Sequence, residues 1–435
     1  MYILHYSIGF PPYRNGGLVK FCMDLMTYQK NSGHSVGMIW PGKFGLINKK
    51  TKIKKSENDG FLSFEIINPL PVSICNGIND YDLFTKAIDM SVFIDFLKKE
   101  RPDIIHIHTL MGLPKEFLKA TKDLGIKTIY TTHDYFGLCP TGHLFYKNKI
   151  CQNNDFSNCA HCNSNAFSFK KMLLMQSKFY QKFSNSKIMK KIRNILRGNN
   201  EKINEEIEIT NNCNYERLKK FYTEMFDDID VIHCNSSISY KVFSHYYSDA
   251  KLIKQNITHL DIVDRRLEKK FNESKTLNLL FLGPEVDSKG FSFIIENLDK
   301  VYAKKQNFKL YIYSRDNFAE RDYIVKNGKY TYSDLPNIYQ NIDLLLAPSQ
   351  WYETFGFIVL EAYNHGTPSL ITHNVGSQDI LKNNITGFIV DNENFENKIL
   401  ELLENKEIIN EMINNIKKED INISMEEVHR NIYGG

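Results

Sequence analysis

Apolar residues fall along this chain in two alternating rhythms. Short unbroken runs such as DIIHIH (103–108), KTIYTT (127–132) and DVIHCN (230–235) have the length and β-branched content of buried strands. The second half repeats the pattern in LNLLFLG (277–283), FKLYIYS (308–314), DLLLAPS (343–349) and PSLITH (368–373). Between the runs the period is helical. From Gly17 onward, Leu18, Phe21, Cys22, Leu25 and Met26 share one face, and Gly33 is placed to end that helix. Strands alternating with helices predict α/β architecture with parallel sheets covered by helices. The rhythm breaks over 135–225, which reads as an insertion. The charged run DRRLEKKFNESK (264–275) reads as part of a linker over 255–275. The expected layout is a first α/β domain over 1–255, a second over 276–415, and a terminal helix, 416–435, packing back on the first domain.

Length changes this picture little: 435 residues agree with two or three domains. A hydrophobic content of 42% beside 24% charged residues is that of a globular chain. No run of about 18 apolar residues occurs, so no spanning helix is expected. The first residues, MYILHYSIGF, begin as a strand without a basic leader, and the expectation is a cytoplasmic protein. Eight cysteines in such a chain read as thiols or metal ligands rather than disulfides.

Charge matters more for where it lies. The formal net charge is +4, but residues 156–200 contain no Asp or Glu. Lys170, Lys171, Lys178, Lys182, Lys187, Lys190, Lys191, Arg193 and Arg197 lie there, interleaved with Phe167, Phe169, Leu173, Leu174, Phe179 and Ile188. Over 165–200 this is a basic amphipathic helical pattern suited to an anionic membrane surface. The plainer alternative is a helical hairpin with solvated lysines. No nucleic-acid module accompanies the patch, so nucleic acid is not an expected partner.

The chemistry concentrates in one segment, Ala347 to Pro368. A strand runs into a Pro-Ser turn, a loop carrying Glu353, and a helix carrying Glu361. Ligands of open α/β sheets sit at the carboxyl ends of strands, where this loop lies. Amides of Thr354, Phe355 and Gly356 at a helix start can hold sugar or phosphate oxygens, and Gly356 permits close approach. Taken alone, Glu353 reads equally as a helix cap and Glu361 as a solvated charge. Together, Glu353-x-Phe355-Gly356-x4-Glu361, Gly366-Thr-Pro and Gly387-Phe-Ile-Val resemble the paired-glutamate signature of family-4 glycosyltransferases of group 1 type. That resemblance implies the GT-B fold: two facing Rossmann-like domains with a cleft between them, the first here carrying a helical, Cys-containing insertion. It further implies a retaining, metal-independent, hexosyltransferase-type enzyme using a UDP- or GDP-linked sugar. Glu353 and the following amides would hold the donor sugar, and Glu361 the ribose.

Weaker signals agree. Gly16 and Gly17 sit at the first strand–helix junction, where the family places a glycine-rich turn near the donor; alone they are only a turn. His133, after KTIYTT, resembles the family's donor-proximal histidine. At the first strand of the second half the family's Gly-Arg is replaced by Gly283-Pro284-Glu285, while Lys289 remains as a cation for the diphosphate. Arg315, after the next strand, is a candidate for the missing charge. The resemblance makes Glu353, His133 and Lys289 the catalytic candidates, with no cofactor required for catalysis. A glycan or lipid-linked acceptor is the expected partner, and the basic segment places the expected transfer at the inner membrane face. The competing classes are a catalytically silent sugar-nucleotide-binding or partner-docking protein, and a nucleotide-sugar epimerase. A metal-dependent transferase of the other fold would need Asp80-Tyr-Asp82 or Asp228-Ile-Asp230. Finally, Cys139, Cys151, Cys159 and Cys162 offer four thiolates for a structural zinc, with His143 or His161 as substitutes.

Overall fold

The computed structural model describes residues 1–45, 49–151, 156–183, 213–313, 320–420 and 423–434. The chain divides into two compact units. The first comprises 1–144, 151–234 and 247–253; the second comprises 145–150, 235–246 and 254–435. The helix Met425–Tyr433 groups with the second unit.

The first unit is built on an eight-stranded sheet from β1 (Tyr2–Tyr6), β2 (Ser35–Pro41), β3 (Lys52–Asn58), β4 (Phe61–Ile67), β5 (Ile104–Ile107), β6 (Lys127–Thr131), β9 (Val231–Cys234) and β10 (Leu252–Lys254), the short strands β7 (Phe145–Tyr146) and β8 (Lys149–Ile150) forming a separate hairpin. Their order is β10-β9-β6-β5-β1-β2-β4-β3. β1 is central, parallel to β2 and β5, and its Ile3, Leu4 and Tyr6 are buried on both faces. That is why it reads as a continuous apolar run rather than an alternating one. β3 pairs antiparallel at the edge, and its lysines face solvent, which discourages edge-to-edge pairing. The helix Gly17–Asn31 buries Val19, Phe21, Cys22, Leu25 and Met26. It ends at Ser32, and Gly33 takes the left-handed conformation, as the sequence pattern predicts.

The long excursion between β6 and β9 leaves the sheet continuous. The two strands pair directly, Ile129 beside Val231 and Thr131 beside His233. Asp230 accepts from both the amide and the hydroxyl of Thr128, at 2.7 and 2.9 Å, fixing the point of return. Within the excursion, the basic segment is not one helix. Phe169–Met175 and Lys178–Phe183 are separate: Gln176 is the C-cap of the first, and Ser177 Oγ accepts from Tyr180 N at 3.1 Å to start the second, while the Gln176 side chain turns inward, accepting from Val72 N and donating to Gly42 O. Residues 184–212, with Lys187, Lys190, Lys191, Arg193 and Arg197, lie outside the described residues, as does Arg315.

The second unit has a six-stranded parallel sheet from β11 (Leu277–Phe281), β12 (Phe308–Tyr313), β13 (Ile324–Asn327), β14 (Leu344–Ala347), β15 (Ser369–Thr372) and β16 (Phe388–Val390). Its order is β13-β12-β11-β14-β15-β16. Leu279, Leu310, Leu344 and Leu370 pack against Ile294, Leu298 and Val301 of the helix Phe291–Lys304 and against Ile399 and Met412. Each such side chain contributes roughly 1.5–3 kcal/mol on burial. The stretch expected to be a charged linker is anchored here instead. Lys269 is only 2% exposed, and its ammonium donates to the carbonyls of Tyr339, at 2.5 Å, and Ile342. Those carbonyls end the helix Leu335–Gln340 and its exit turn, so the lysine satisfies orphan acceptors at a helix terminus.

Candidate active site

In the second unit the site begins with two loops that touch. After β11 the chain makes a short turn, Asp287–Lys289, and Gly290 has φ +80°. A Cβ on Gly290 would lie 2.2 Å from Pro348 O, so a glycine is what lets this turn meet the loop after β14. Gln350 N donates to Ser288 O at 2.9 Å across the junction. The result is an ion pair: Lys289 Nζ lies 2.5 Å from Glu353 Oε1. Ser349 Oγ donates to the other oxygen, Glu353 Oε2, and Lys289 Nζ is 5.2 Å from the centre of the Trp351 ring.

The backbone of the glutamate loop is pinned. Glu353 N donates to Asn374 O, and Gly376 N donates to Glu353 O, both at 2.9 Å. Ser236 Oγ donates to Thr354 O at 2.5 Å, and Ser377 N donates to Phe355 O at 2.6 Å. The helix itself starts later than expected, at Phe357, with Gly356 as its N-cap at φ +92°. Thr354 and Phe355 therefore precede the first turn: their carbonyls are held by Ser236 and Ser377, which keeps them out of helical geometry.

Glu361 is 4% exposed and not a solvated charge. Its Oε1 lies 3.3 Å from His259 Nε2, and the His259 ring packs against Tyr332 and Phe357 at 5.2 and 5.1 Å. A cavity of about 420 Å³ opens at the carboxyl ends of β11 and β12, lined by Gly283, Pro284, Tyr313, Lys329, Tyr330 and Tyr332. Burial first, and then the Glu361 carboxylate, push the Tyr330 phenol up to about 12. The sequence reading missed His259, Ser349 and these tyrosines. Only Ser349, inside the quoted motif, had a signal that could have singled it out.

In the first unit, His133 packs against the helix that the glycine turn begins. Gly16 has φ +115°, caps the helix Gly17–Asn31 and faces open space. His133 is half-buried, its ring 5.2 Å from Phe21 of that helix. It is also one end of a hydrogen-bonded row. His133 Nε2 is 3.1 Å from His108 Nδ1, His108 Nε2 is 3.0 Å from His5 Nδ1, and His5 Nε2 is 2.7 Å from Gln29 Oε1. With Gln29 Oε1 accepting, each ring dictates the tautomer of the next, and His133 Nδ1 is left as an acceptor. Burial, then the imidazole of His233, hold His133 down to about 3. His108 is likewise held well below the usual imidazole range by burial and by His106, His5, His133 and His233.

The two Asp-x-Asp triplets have local structural work. Asp80 caps the short helix Tyr81–Phe84; Asp228 pairs with Lys122 at 2.9 Å, and Asp230 holds Thr128. The four cysteines of the insertion gather loosely. Cys159 and Cys162 share one helical turn, and the turn Cys139–Gly142 is closed by Gly142 N donating to Cys139 O. The Thr141 hydroxyl lies 3.2 Å from Cys139 Sγ and also meets Cys162. Burial, then the thiols of Cys139, Cys151 and Cys159, push Cys162 up to about 12. No three of the four have sulfurs within 4.8 Å of one another. Among the described residues only His5, Cys22 and His108 bring three ligand atoms that close.

Two nucleotide-binding-type α/β units, one with a buried glutamate pair at the carboxyl edge of its sheet, define the GT-B class. Known proteins agree. Residues 263–419 match the family described as "Glycosyl transferases group 1", and residues 15–159 match "Glycosyltransferase Family 4". The chain belongs to this group 1, family 4 type of glycosyltransferases. It is 29% identical over 150 residues to an uncharacterized 41.2 kDa protein in the cps region of Klebsiella pneumoniae, covering 32% of this chain and 40% of that one. It is 24% identical over 191 residues to the uncharacterized glycosyltransferase MJ1607 of Methanocaldococcus jannaschii, covering 39% and 48%. The chain thus spans less than half the length of these relatives. Among solved structures, WaaG, a glycosyltransferase involved in lipopolysaccharide biosynthesis, superposes with a TM-score of 0.56 at 14% identity over 100% of both chains. Anabaena HepE in complex with UDP gives 0.56 at 12% identity, covering 99% of this chain and 96% of that one. These two likenesses show the fold.

Proposed function

We propose that the chain is a retaining, metal-independent, hexosyltransferase-type enzyme that moves a sugar from a UDP- or GDP-linked donor to a lipid-linked or surface-polysaccharide acceptor. The observation that carries this reading is the contact of Lys289 with Glu353. It sets a cation for a diphosphate and a carboxylate for sugar hydroxyls at one point, beside a glycine-capped helix start. Glu361 with His259 takes the ribose, and the tyrosine-lined cavity of about 420 Å³ takes the base. HepE was solved with UDP, and the proposal extends that nucleotide class to this chain.

In this mechanism the bond from the anomeric carbon to the phosphate oxygen breaks, and its electron pair leaves with the diphosphate. Lys289 and the amides near Gly356 stabilise that growing charge. The acceptor hydroxyl attacks the anomeric carbon from the same face and gives its proton to a phosphate oxygen, which retains configuration. His133, held neutral across the working range, is proposed as a hydrogen-bonding group and not as a charged one. The location proposed is cytoplasmic, peripheral on the inner membrane face. No helix among the described residues is long and apolar enough to cross a membrane. A structural zinc at Cys139, Cys151, Cys159 and Cys162 is part of the same proposal, although no three of these four sulfurs converge within 4.8 Å, and metal content tests it.

The test is a thermal-shift panel of nucleotide sugars followed by turnover. A ligand at 100 times its Kd stabilises the folded state by about 2.7 kcal/mol, so one nucleotide sugar raises Tm by roughly 5 °C without added divalent metal. Glu353→Gln lowers kcat about 100-fold or more in a folded protein, and Glu361→Gln raises donor KM about tenfold or more. A shift that requires manganese overturns metal independence. Binding without transfer to any acceptor, which the absent arginine at 283–285 would favour, makes the chain a sugar-nucleotide-binding protein.

A further inference from the structure

The first unit contains a cavity of about 1100 Å³ that none of the donor chemistry uses. It lies where the chain leaves β2 and β4, the carboxyl edge of the sheet. Lys43 and Phe44 follow β2, Asn68 to Pro71 follow β4, and the helix Phe169–Met175 closes one side. Its walls are built. Gln176, fully buried, ties that helix to Gly42 and Val72. Asn68 accepts from Gly45 N at 2.6 Å and donates to Lys50 O at 2.8 Å, and its own amide donates to Lys43 O at 2.9 Å. The Phe44 and Phe169 rings meet edge to face at 5.6 Å.

The lining has two chemistries. Lys43, Lys49, Lys50, Lys86 and Lys178 contribute ammonium groups, against one carboxylate, Asp89, among the described lining residues. Asp89 is engaged by the amide and hydroxyl of Ser91, at 3.0 and 2.7 Å. Lys43 and Lys178 stand close enough that burial and the Lys178 ammonium lower the Lys43 pKa, the Glu65 carboxylate opposing them only in part. Two cations held together are a site of unfavourable energy that an anion relieves. Beside Thr51, Asn68 and Ser177, most of the rest of the wall is apolar: Leu70, Leu83, Ile88, Val92, Phe169 and Leu173. Of these, Phe169 is 40% exposed. Free phosphate would satisfy the lysines and leave the apolar wall wet. A neutral lipid would leave the lysines uncompensated. An apolar chain ending in phosphate satisfies both.

We propose that this cavity binds a lipid phosphate or diphosphate, its anionic head at Lys43 and Lys178 and its chain along Leu83, Val92 and Leu173. Calling that lipid the acceptor's anchor rests on the transferase reading above; the binding itself does not. The probe is farnesyl diphosphate, titrated calorimetrically into the full chain, beside inorganic diphosphate and farnesol. Farnesyl diphosphate binds at least about tenfold tighter than either fragment, because only it engages both walls. Lys43→Gln with Lys178→Gln weakens it at least about tenfold and removes most of its salt dependence. Leu173→Asp weakens farnesyl diphosphate and leaves inorganic diphosphate unchanged. The nucleotide-sugar thermal shift of each variant reports that the protein is folded. Equal affinity for farnesyl diphosphate and inorganic diphosphate overturns the proposal, as does unchanged binding in the lysine variant. Farnesyl diphosphate binding without any glycosyl transfer sinks the transferase reading and leaves the cavity standing. Transfer to soluble glycans with no lipid-phosphate binding does the reverse.

Discussion

His133 stands at the half-exposed end of a row of imidazoles that no spacing rule would assemble. Its partners His108 and His5 come from the end of β5 and from β1, and only the parallel pairing of those two strands brings them together. Long-range pairing of this kind is invisible one strand at a time, which is why the sequence singled out His133 but not its partners. The row has a consequence for stability. A histidine whose pKa is depressed by folding contributes stability that is present above its unfolded value near 6.5 and lost as pH falls toward about 3. His108 acts in the same sense. Asp134, raised by burial to about 6, acts oppositely: its contribution is complete below about 3.8 and lost as pH rises through about 6. The two histidines outweigh one carboxyl above pH 5.5, so the urea midpoint should fall between pH 7.5 and 5.5. His133→Gln should make that fall shallower. An identical slope in the variant would take His133 out of the buried row.

At the scale of elements, all seven strands expected from apolar runs are present, within a residue or two of their expected limits. Burial on both faces of a parallel sheet leaves an unmistakable pattern. The glutamate loop was also legible, since its residue types and spacing are local. What escaped were elements whose ends are set by single side chains from elsewhere. Ser236 holds Thr354 outside the helix, and Lys269 converts a charged stretch into a clamp on a helix end. The cysteine-bearing element is still to be tested by its metal content. Purified protein is expected to carry about one zinc per chain, lost when Cys159 and Cys162 are both changed to Ser, with the unfolding temperature lowered. Metal-free protein of unchanged stability would leave these cysteines as ordinary thiols.

For the molecule as a whole, charge was readable as composition but not as architecture. The excess of lysine over 156–200 gave no hint that Lys178 would share a cavity with Lys43 from the end of β2. The more distal cations carry their own prediction. Changing Lys187, Lys190, Lys191 and Arg193 to Gln should release the protein from anionic vesicles, since each contributes about 1 kcal/mol near such a surface. Sedimentation at two salt concentrations measures this, and salt-insensitive binding equal to that of the parent would assign those lysines to solvent. One feature of the first sheet reaches further than any single site. β6 and β9 lie side by side and are stitched by Asp230 to Thr128, so the long excursion between them leaves and re-enters the sheet at neighbouring points. Lengthening a loop between such fixed ends adds only a logarithmic entropic cost, about 0.6 kcal/mol per doubling. Descendants of this chain are therefore able to lengthen the excursion at its exposed turns at little entropic cost, while the strand order of the open sheet goes on being inherited unchanged.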